Sequence, residues 1–161
     1  KAGAQAVIVP DLPVEEADIL LNEGKKWGVH VIFQVAPTTT EDRLKKIADI
    51  ASGFIYIIGV EGVTGARKGL TDSTLQLVSR VRRYTDVPML AGFGISRREH
   101  AAAVVSAGAD GAIAGSAYAE IYEKNLKKPE ETLPEIARLA KQIKRGCIEG
   151  FRQRLGNSYD H

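Results

Sequence analysis

The chain has 161 residues, 44% hydrophobic and 26% charged, with a formal net charge of +2. This is an ordinary mix for one domain with a core of its own. The balance forces no nucleic-acid footprint: the 22 Lys and Arg are scattered over predicted helices, with only a mild cluster over 141–154, and aromatic residues make up only 6% of the chain, too few and too dispersed for base-stacking platforms. No apolar run approaches the roughly 18 residues of a membrane span.

Cys147, the one cysteine, has no internal partner for a disulfide, and the chain opens Lys1-Ala2-Gly3-Ala4 with no signal-peptide pattern. Both features predict a reducing, cytoplasmic setting. Residues 1–4 read as the tail of a helix–strand connection, so the expectation is a domain that starts further upstream.

Taken in chain order, the first strand is Ala6-Val7-Ile8-Val9, closed by Pro10-Asp11-Leu12-Pro13. A helix follows over 14–27, with Ala17, Leu20, Leu21 and Gly24 inward. The second strand is read as one run over 29–35, closed by Ala36-Pro37-Thr38. Thr39 or Thr40 then caps a helix to about Ala51, with Leu44, Ile47, Ala48 and Ile50 at helical spacing. The third strand covers 54–58. The loop over 59–69 holds four glycines, which predicts the most flexible segment of the chain. A helix over 71–84, a strand over 87–91, a helix over 96–107 and a strand over 111–114 come next. A short helix after Ser116 leads to a long one over 130–155. Its predicted apolar face is Leu133, Ile136, Ala140, Ile143, Cys147, Phe151 and Leu155, with Gly146 and Gly150 weakening its middle.

Strand starts near 5, 30, 54, 87 and 111 repeat at roughly the βα period of about 30 residues. The strands are continuous apolar runs, as in a parallel sheet covered by helices on one face and filled on the other. The predicted class is α/β, a single domain over 1–161 built of parallel βα units. Two architectures fit: an open doubly wound sheet, or the later five-eighths of a (βα)8 TIM barrel. The glycine turns decide for the barrel. A doubly wound nucleotide-binding sheet puts its glycine turn after the first strand. Here Gly92-Phe93-Gly94-Ile95-Ser96 and Gly115-Ser116-Ala117 follow the last two strands, where barrels hold phosphate.

A phosphate group needs converging donors and a positive field, and backbone N–H groups at a helix N-terminus supply both. Gly94 and Gly115 meet that demand, Ser116 adds a hydroxyl, and Gly65 is placed to close the cup from a third side. Each turn alone reads equally as a tight strand-to-helix connection; the two together point to a phosphorylated small molecule.

These turns resemble a known family when taken with Gly62-Val63-Thr64-Gly65-Ala66, Pro10-Asp11-Leu12-Pro13 with Glu15-Glu16, and Ala36-Pro37-Thr38-Thr39. In order and spacing they are similar to the tryptophan synthase alpha chain, from about Gly3 to Asn125 and more weakly through the last helix. The resemblance implies an aldol-type lyase that splits indole-3-glycerol phosphate into indole and glyceraldehyde 3-phosphate. It implies no cofactor or metal in this chain, and a beta chain carrying pyridoxal phosphate as partner in an alpha2beta2 complex.

The family's acid/base Glu and Asp lie on strands before the point where this sequence begins, so they map to no residue here. This piece alone is therefore expected to be inactive. The residues that do map are Tyr56 and Thr64 in supporting catalytic roles, Phe93 against the substrate, and Gly65, Gly94, Gly115 and Ser116 on the phosphate. From the bare sequence, Tyr56 reads equally as barrel filling, Thr64 as an ordinary loop residue and Phe93 as a core side chain.

Asp11 reads as a local cap or turn residue, and Glu61 as a solvent-facing loop residue. His30, His100 and His161 lie in unrelated contexts without metal-ligand spacing, and Cys147 as a buried helix position. Gln34 is a departure from the family, a polar residue within a strand that needs a partner if it faces inward. The competing functions are a non-catalytic phosphate-binding or partner-binding barrel, and another phosphate-binding barrel of tryptophan, histidine or thiamine biosynthesis.

Overall fold

The computed structural model describes residues 2–59 and 72–157. The elements run β1 (Ala6–Ile8), α1 (Asp18–Trp27), β2 (His30–Ile32), β3 (Gln34–Val35), α2 (Glu41–Ile50), β4 (Ile55–Ile57), α3 (Asp72–Arg82), β5 (Met89–Ala91), α4 (Arg98–Ser106), β6 (Gly111–Ala112), α5 (Ser116–Glu123) and α6 (Leu133–Asn157). Short 3-10 turns, Val14–Glu16 and Pro129–Thr132, precede α1 and α6, so both helices start later than their apolar periodicity suggests.

Every strand pair is parallel, and the pairs follow chain order: β1 with β2, then β3, β4, β5 and β6 in sequence. A doubly wound sheet reverses its order at a switch point; this one does not. The single strand expected over 29–35 is in fact two. Its first half pairs with β1 and its second half with β4, and Phe33 between them accepts the Tyr56 N–H through its carbonyl at 2.9 Å. The physical reason is stagger: tilted parallel strands engage their two neighbours at different heights.

Side chains alternate across this sheet. Val31, Phe33, Val35, Ile55, Ile57, Met89 and Ala91 are buried and pack with Leu44, Ile47, Leu77, Val78, Val81, Val104 and Val105 of the helices. The opposite face carries a row in register, Gln34–Tyr56–Leu90–Gly111, whose members are all half-buried. Ile50, placed on the inner side of its helix by spacing, is instead exposed.

Local chemistry sets the boundaries. Gly28 ends α1 in the left-handed region at φ 65°. Of the two candidate threonines, Thr40 caps α2, its hydroxyl accepting the Arg43 N–H. Thr39 turns back to accept the Ala36 N–H at 3.0 Å.

The face of α6 differs from the one read by spacing. Leu139, Ile143, Gly146 and Gly150 are buried, whereas Leu133, Ala140, Phe151 and Leu155 are exposed. The seam is set by glycine, which a hydrophobicity pattern does not count. A Cβ on Gly146 would fall within 3.0 Å of the Arg98 carbonyl oxygen, and one on Gly150 within 3.0 Å of the Ala102 carbonyl oxygen. Far from marking a weak middle, the two glycines let α6 lie directly on α4.

At the opposite end of the sheet, Asp110 ties three elements. Its carboxylate accepts the Met89 N–H at 2.9 Å and the Arg82 guanidinium, with Arg154 at 3.8 Å. The Arg pairs are partly exposed and contribute little; the bond to a β5 backbone N–H matters more. Asp110→Ala is expected to lower the unfolding free energy by about 1–2 kcal/mol, read from urea denaturation. An unchanged midpoint would remove Asp110 as a tie.

Candidate functional site

The turns after β5 and β6 lie side by side because their strands are hydrogen-bonded neighbours. Ile57, Ala91 and Ala112 form one registered row. Gly92 N–H donates to the Ile57 carbonyl at 3.0 Å, and Ile113 N–H to the Ala91 carbonyl at 2.8 Å. Gly94 and Gly115 are each the third residue past that row, so both turns leave the same edge of the sheet at the same level.

Each has glycine chemistry of a different kind. Gly94 has φ 68°, the left-handed conformation that side chains resist. Gly115 has an ordinary φ, but a Cβ there would meet nothing within 4 Å; the space in front of it is open. The Gly115 carbonyl accepts the N–H groups of Tyr118 and Ala119 at 3.0 and 3.1 Å. The preceding N–H groups, those of Ser116 and Ala117, have no acceptor within the helix. No side chain caps α5 or α4, in contrast to α2.

Two aromatic rings sit beside these turns, each on a glycine. Tyr56 lies over Gly92, where a Cβ would fall within 3.0 Å of the ring, and its Oη donates to the Gly92 carbonyl at 3.3 Å. Phe93 lies over Gly59 in the same way. Gly59, read from sequence as part of a flexible loop, is a seat for a ring. Both aromatic residues are half-buried. Thr64, Gly65 and Glu61 lie outside the described residues, as does His161.

Other sequence candidates fall elsewhere. Asp11 is exposed in the turn after β1; it caps no helix, since the N-cap of the following 3-10 turn is Pro13 and no side chain bonds there. With Gln34, Thr39 and Arg43 it lines a cavity of about 260 Å³ at this end of the sheet. Gln34 faces that open space. His30 is exposed on β2. Cys147 is half-buried on α6, and burial pushes its thiol up, the wrong direction for a nucleophile.

His100 is the residue the sequence reading passed over. It is 7% exposed, in the first turn of α4. Burial, and then the neighbouring Arg97 charge, hold its imidazole below the ordinary histidine value; the Gly94 backbone and Glu99 oppose. The ring is therefore favoured neutral in the folded chain. Below about pH 6.5 the unfolded chain takes up the proton more readily than the folded one, so stability is full above that value and falls as pH drops towards the folded value. Thermal midpoints at about pH 7.5 and about pH 5 are expected to separate more in this chain than in His100→Asn. Equal acid shifts would remove this contribution.

With this geometry in hand, comparison with known proteins is decisive. A family profile described as "Tryptophan synthase alpha chain" matches residues 1–147. The chain belongs to the tryptophan synthase alpha chain family. It is similar to the tryptophan synthase alpha chain of Methanocaldococcus jannaschii (52% identical, covering 78% of this chain and 44% of that protein) and to that of Methanopyrus kandleri (47% identical, covering 96% and 56%). A solved tryptophan synthase a2b2 complex from Pyrococcus furiosus superimposes with a TM-score of 0.75 at 33% identity, covering 89% of this chain and 55% of that one.

The architecture is thus that of the TIM-barrel alpha subunits, and the chain spans about half the length of the alpha-chain relatives it matches. The family match takes in both glycine turns, Tyr56, Phe93, Thr64 and Gly65. Tryptophan biosynthesis is the family's pathway, and its intact members are lyases. Among the described residues, no helix is long and apolar enough to cross a membrane.

Proposed function

We propose that this chain is the phosphate-binding part of an alpha chain that cleaves indole-3-glycerol phosphate to indole and glyceraldehyde 3-phosphate, working in an alpha2beta2 complex whose beta chain holds pyridoxal phosphate. The observation that carries this reading is the pair of turns at Gly94 and Gly115, three residues beyond one registered row, each opening a helix without a side-chain cap. In this reading the N–H groups of the α5 start and of the Gly94 turn hold the phosphate, the Ser116 hydroxyl adds a donor, and two helix N-termini supply a positive field.

The rings of Tyr56 and Phe93 bound the apolar side of the site, where an indole ring fits. Gly65 and Thr64 enter this reading only through the family resemblance, Gly65 as a phosphate contact and Thr64 in a supporting catalytic role. Remote phosphate binding of this kind fixes the orientation of the reacting carbon, which lowers the barrier without the phosphate itself reacting.

Calorimetric titration of the chain with glycerol 3-phosphate tests the cup directly. Saturable binding is expected, weakened about threefold to tenfold in Ser116→Ala for one lost hydrogen bond. No binding of glycerol 3-phosphate or of inorganic phosphate would overturn the assignment. In the full-length enzyme, Thr64→Val is expected to lower kcat by about tenfold to a hundredfold with KM little changed, the mark of a hydrogen bond made to an ionised group in the transition state. An equal kcat removes Thr64 from the mechanism.

A further inference from the structure

His100 lies beneath the Gly94–Ser96 turn with both ring nitrogens engaged. Nε2 accepts the Arg97 Nε–H at 2.8 Å. Nδ1 lies 3.4 Å from both the backbone nitrogen and the hydroxyl oxygen of Ser96. A neutral imidazole has one N–H and one acceptor nitrogen. The Arg97 bond, the shorter one, makes Nε2 the acceptor, which leaves the hydrogen on Nδ1. Nδ1–H then donates to the Ser96 hydroxyl oxygen at 3.4 Å.

Gly94 is in the left-handed region, which glycine enters without strain, so the residue does not by itself hold the turn in one form. The turn it makes has no side-chain cap from Arg97, the N-cap residue of α4. From within the helix His100 reaches the Ser96 end of the turn, while Tyr56 reaches its Gly92 end.

We propose that His100, oriented by Arg97, is a positioning residue that holds the Gly94–Ser96 turn in the form that presents its backbone N–H groups to a phosphate ester. The ligand part of this inference rests on the phosphate reading of the site; the clamp on the turn does not. His100 touches no substrate. It acts through the turn, and its effect falls on binding. Charged groups acting on the ring are Arg97 and Glu99 of its own segment. On α6, which packs on α4, the Glu149 carboxylate is taken by the Arg98 guanidinium.

Two measurements on the chain test this, using His100→Phe, which keeps the volume and loses both nitrogens, and His100→Asn, which keeps a donor at the Nδ1 position. In the first, amide hydrogen exchange is followed by NMR without ligand. His100→Phe is expected to speed exchange at Ile95 and Ser96 about tenfold, the equivalent of one lost buried hydrogen bond. His100→Asn restores it, and core amides of β4 and β5 stay unchanged. In the second, glycerol 3-phosphate is titrated calorimetrically: His100→Phe is expected to bind about tenfold more weakly and His100→Asn within about threefold of the parent chain.

If His100→Phe leaves both the exchange at Ser96 and the affinity unchanged, the proposal falls while the phosphate cup stands. If the parent chain binds no glycerol 3-phosphate but exchange at Ser96 still rises in His100→Phe and recovers in His100→Asn, the cup falls and the clamp on the turn stands. Should His100→Phe lose protection everywhere, His100→Asn decides: a folded His100→Asn with exchange at Ser96 as fast as in a frayed loop overturns the clamp.

Discussion

Gly146→Ala is expected to lower the unfolding free energy by about 2 kcal/mol or more, and Gly146→Val by more again. Helix propensity alone predicts the opposite sign, since alanine is about 1 kcal/mol better than glycine within a helix. Packing decides. The added methyl would meet the Arg98 carbonyl oxygen of α4 within 3.0 Å, and the Ala101 methyl at 3.0 Å. A backbone carbonyl is not the free end of a flexible side chain, so relief requires the two helices to part along a seam that also buries Gly150 against Ala102 and Val105.

Gly156 lies in the same helix, and a Cβ there meets nothing within 4 Å. Gly156→Ala isolates the propensity term and is expected to be neutral or slightly stabilising. Urea denaturation of the three chains reads the contrast. If Gly146→Ala gains stability as Gly156→Ala does, the close crossing of α4 and α6 is wrong.

What the sequence made legible, and what it hid, divides along physical lines. Strand and helix order follows from apolar runs and turn residues, because burial on a covered parallel sheet needs continuous hydrophobic strands. The choice of barrel over doubly wound sheet was also readable, from where the glycines fall; the sequential strand order agrees with it. The division of the 29–35 run into β2 and β3 was not readable, since stagger is a property of neighbouring strands and not of the run itself.

The face of α6 was misplaced for a related reason. Periodicity ranks Phe151 and Leu155 above Gly146 and Gly150, whereas contact distance between helix axes ranks them the other way. At the site, Gly94, Gly115, Tyr56 and Phe93 were all marked by pattern and resemblance. The glycine seats under the two rings, and His100 under the turn, were not. The sequence signal for His100 was present, a histidine four residues after Ser96 at the opening of a helix. Without the fold, nothing distinguished a ring turned under the loop from one turned out to water.

The second large effect is expected at Gly94. Gly94→Asp should weaken glycerol 3-phosphate binding by at least about a hundredfold, and Gly94→Asn by about tenfold. Both variants place a side chain of the same size on a residue at φ 68°, and aspartate and asparagine are the non-glycine residues that best tolerate that region. The conformational cost is therefore shared and modest, about 1 kcal/mol, and both should show the same small drop in thermal midpoint.

The difference between them is one negative charge facing a phosphate dianion. At about 4–5 Å, with an effective dielectric between that of a protein surface and that of water, this repulsion is on the order of 2–8 kcal/mol. It should also weaken with added salt, as an electrostatic penalty at an open site must. Calorimetric titration of both variants at low and high ionic strength gives the comparison. Equal affinities for Gly94→Asp and Gly94→Asn would mean that no anion sits against the Gly94 turn, and the phosphate would then have to bind somewhere other than between the two glycine turns.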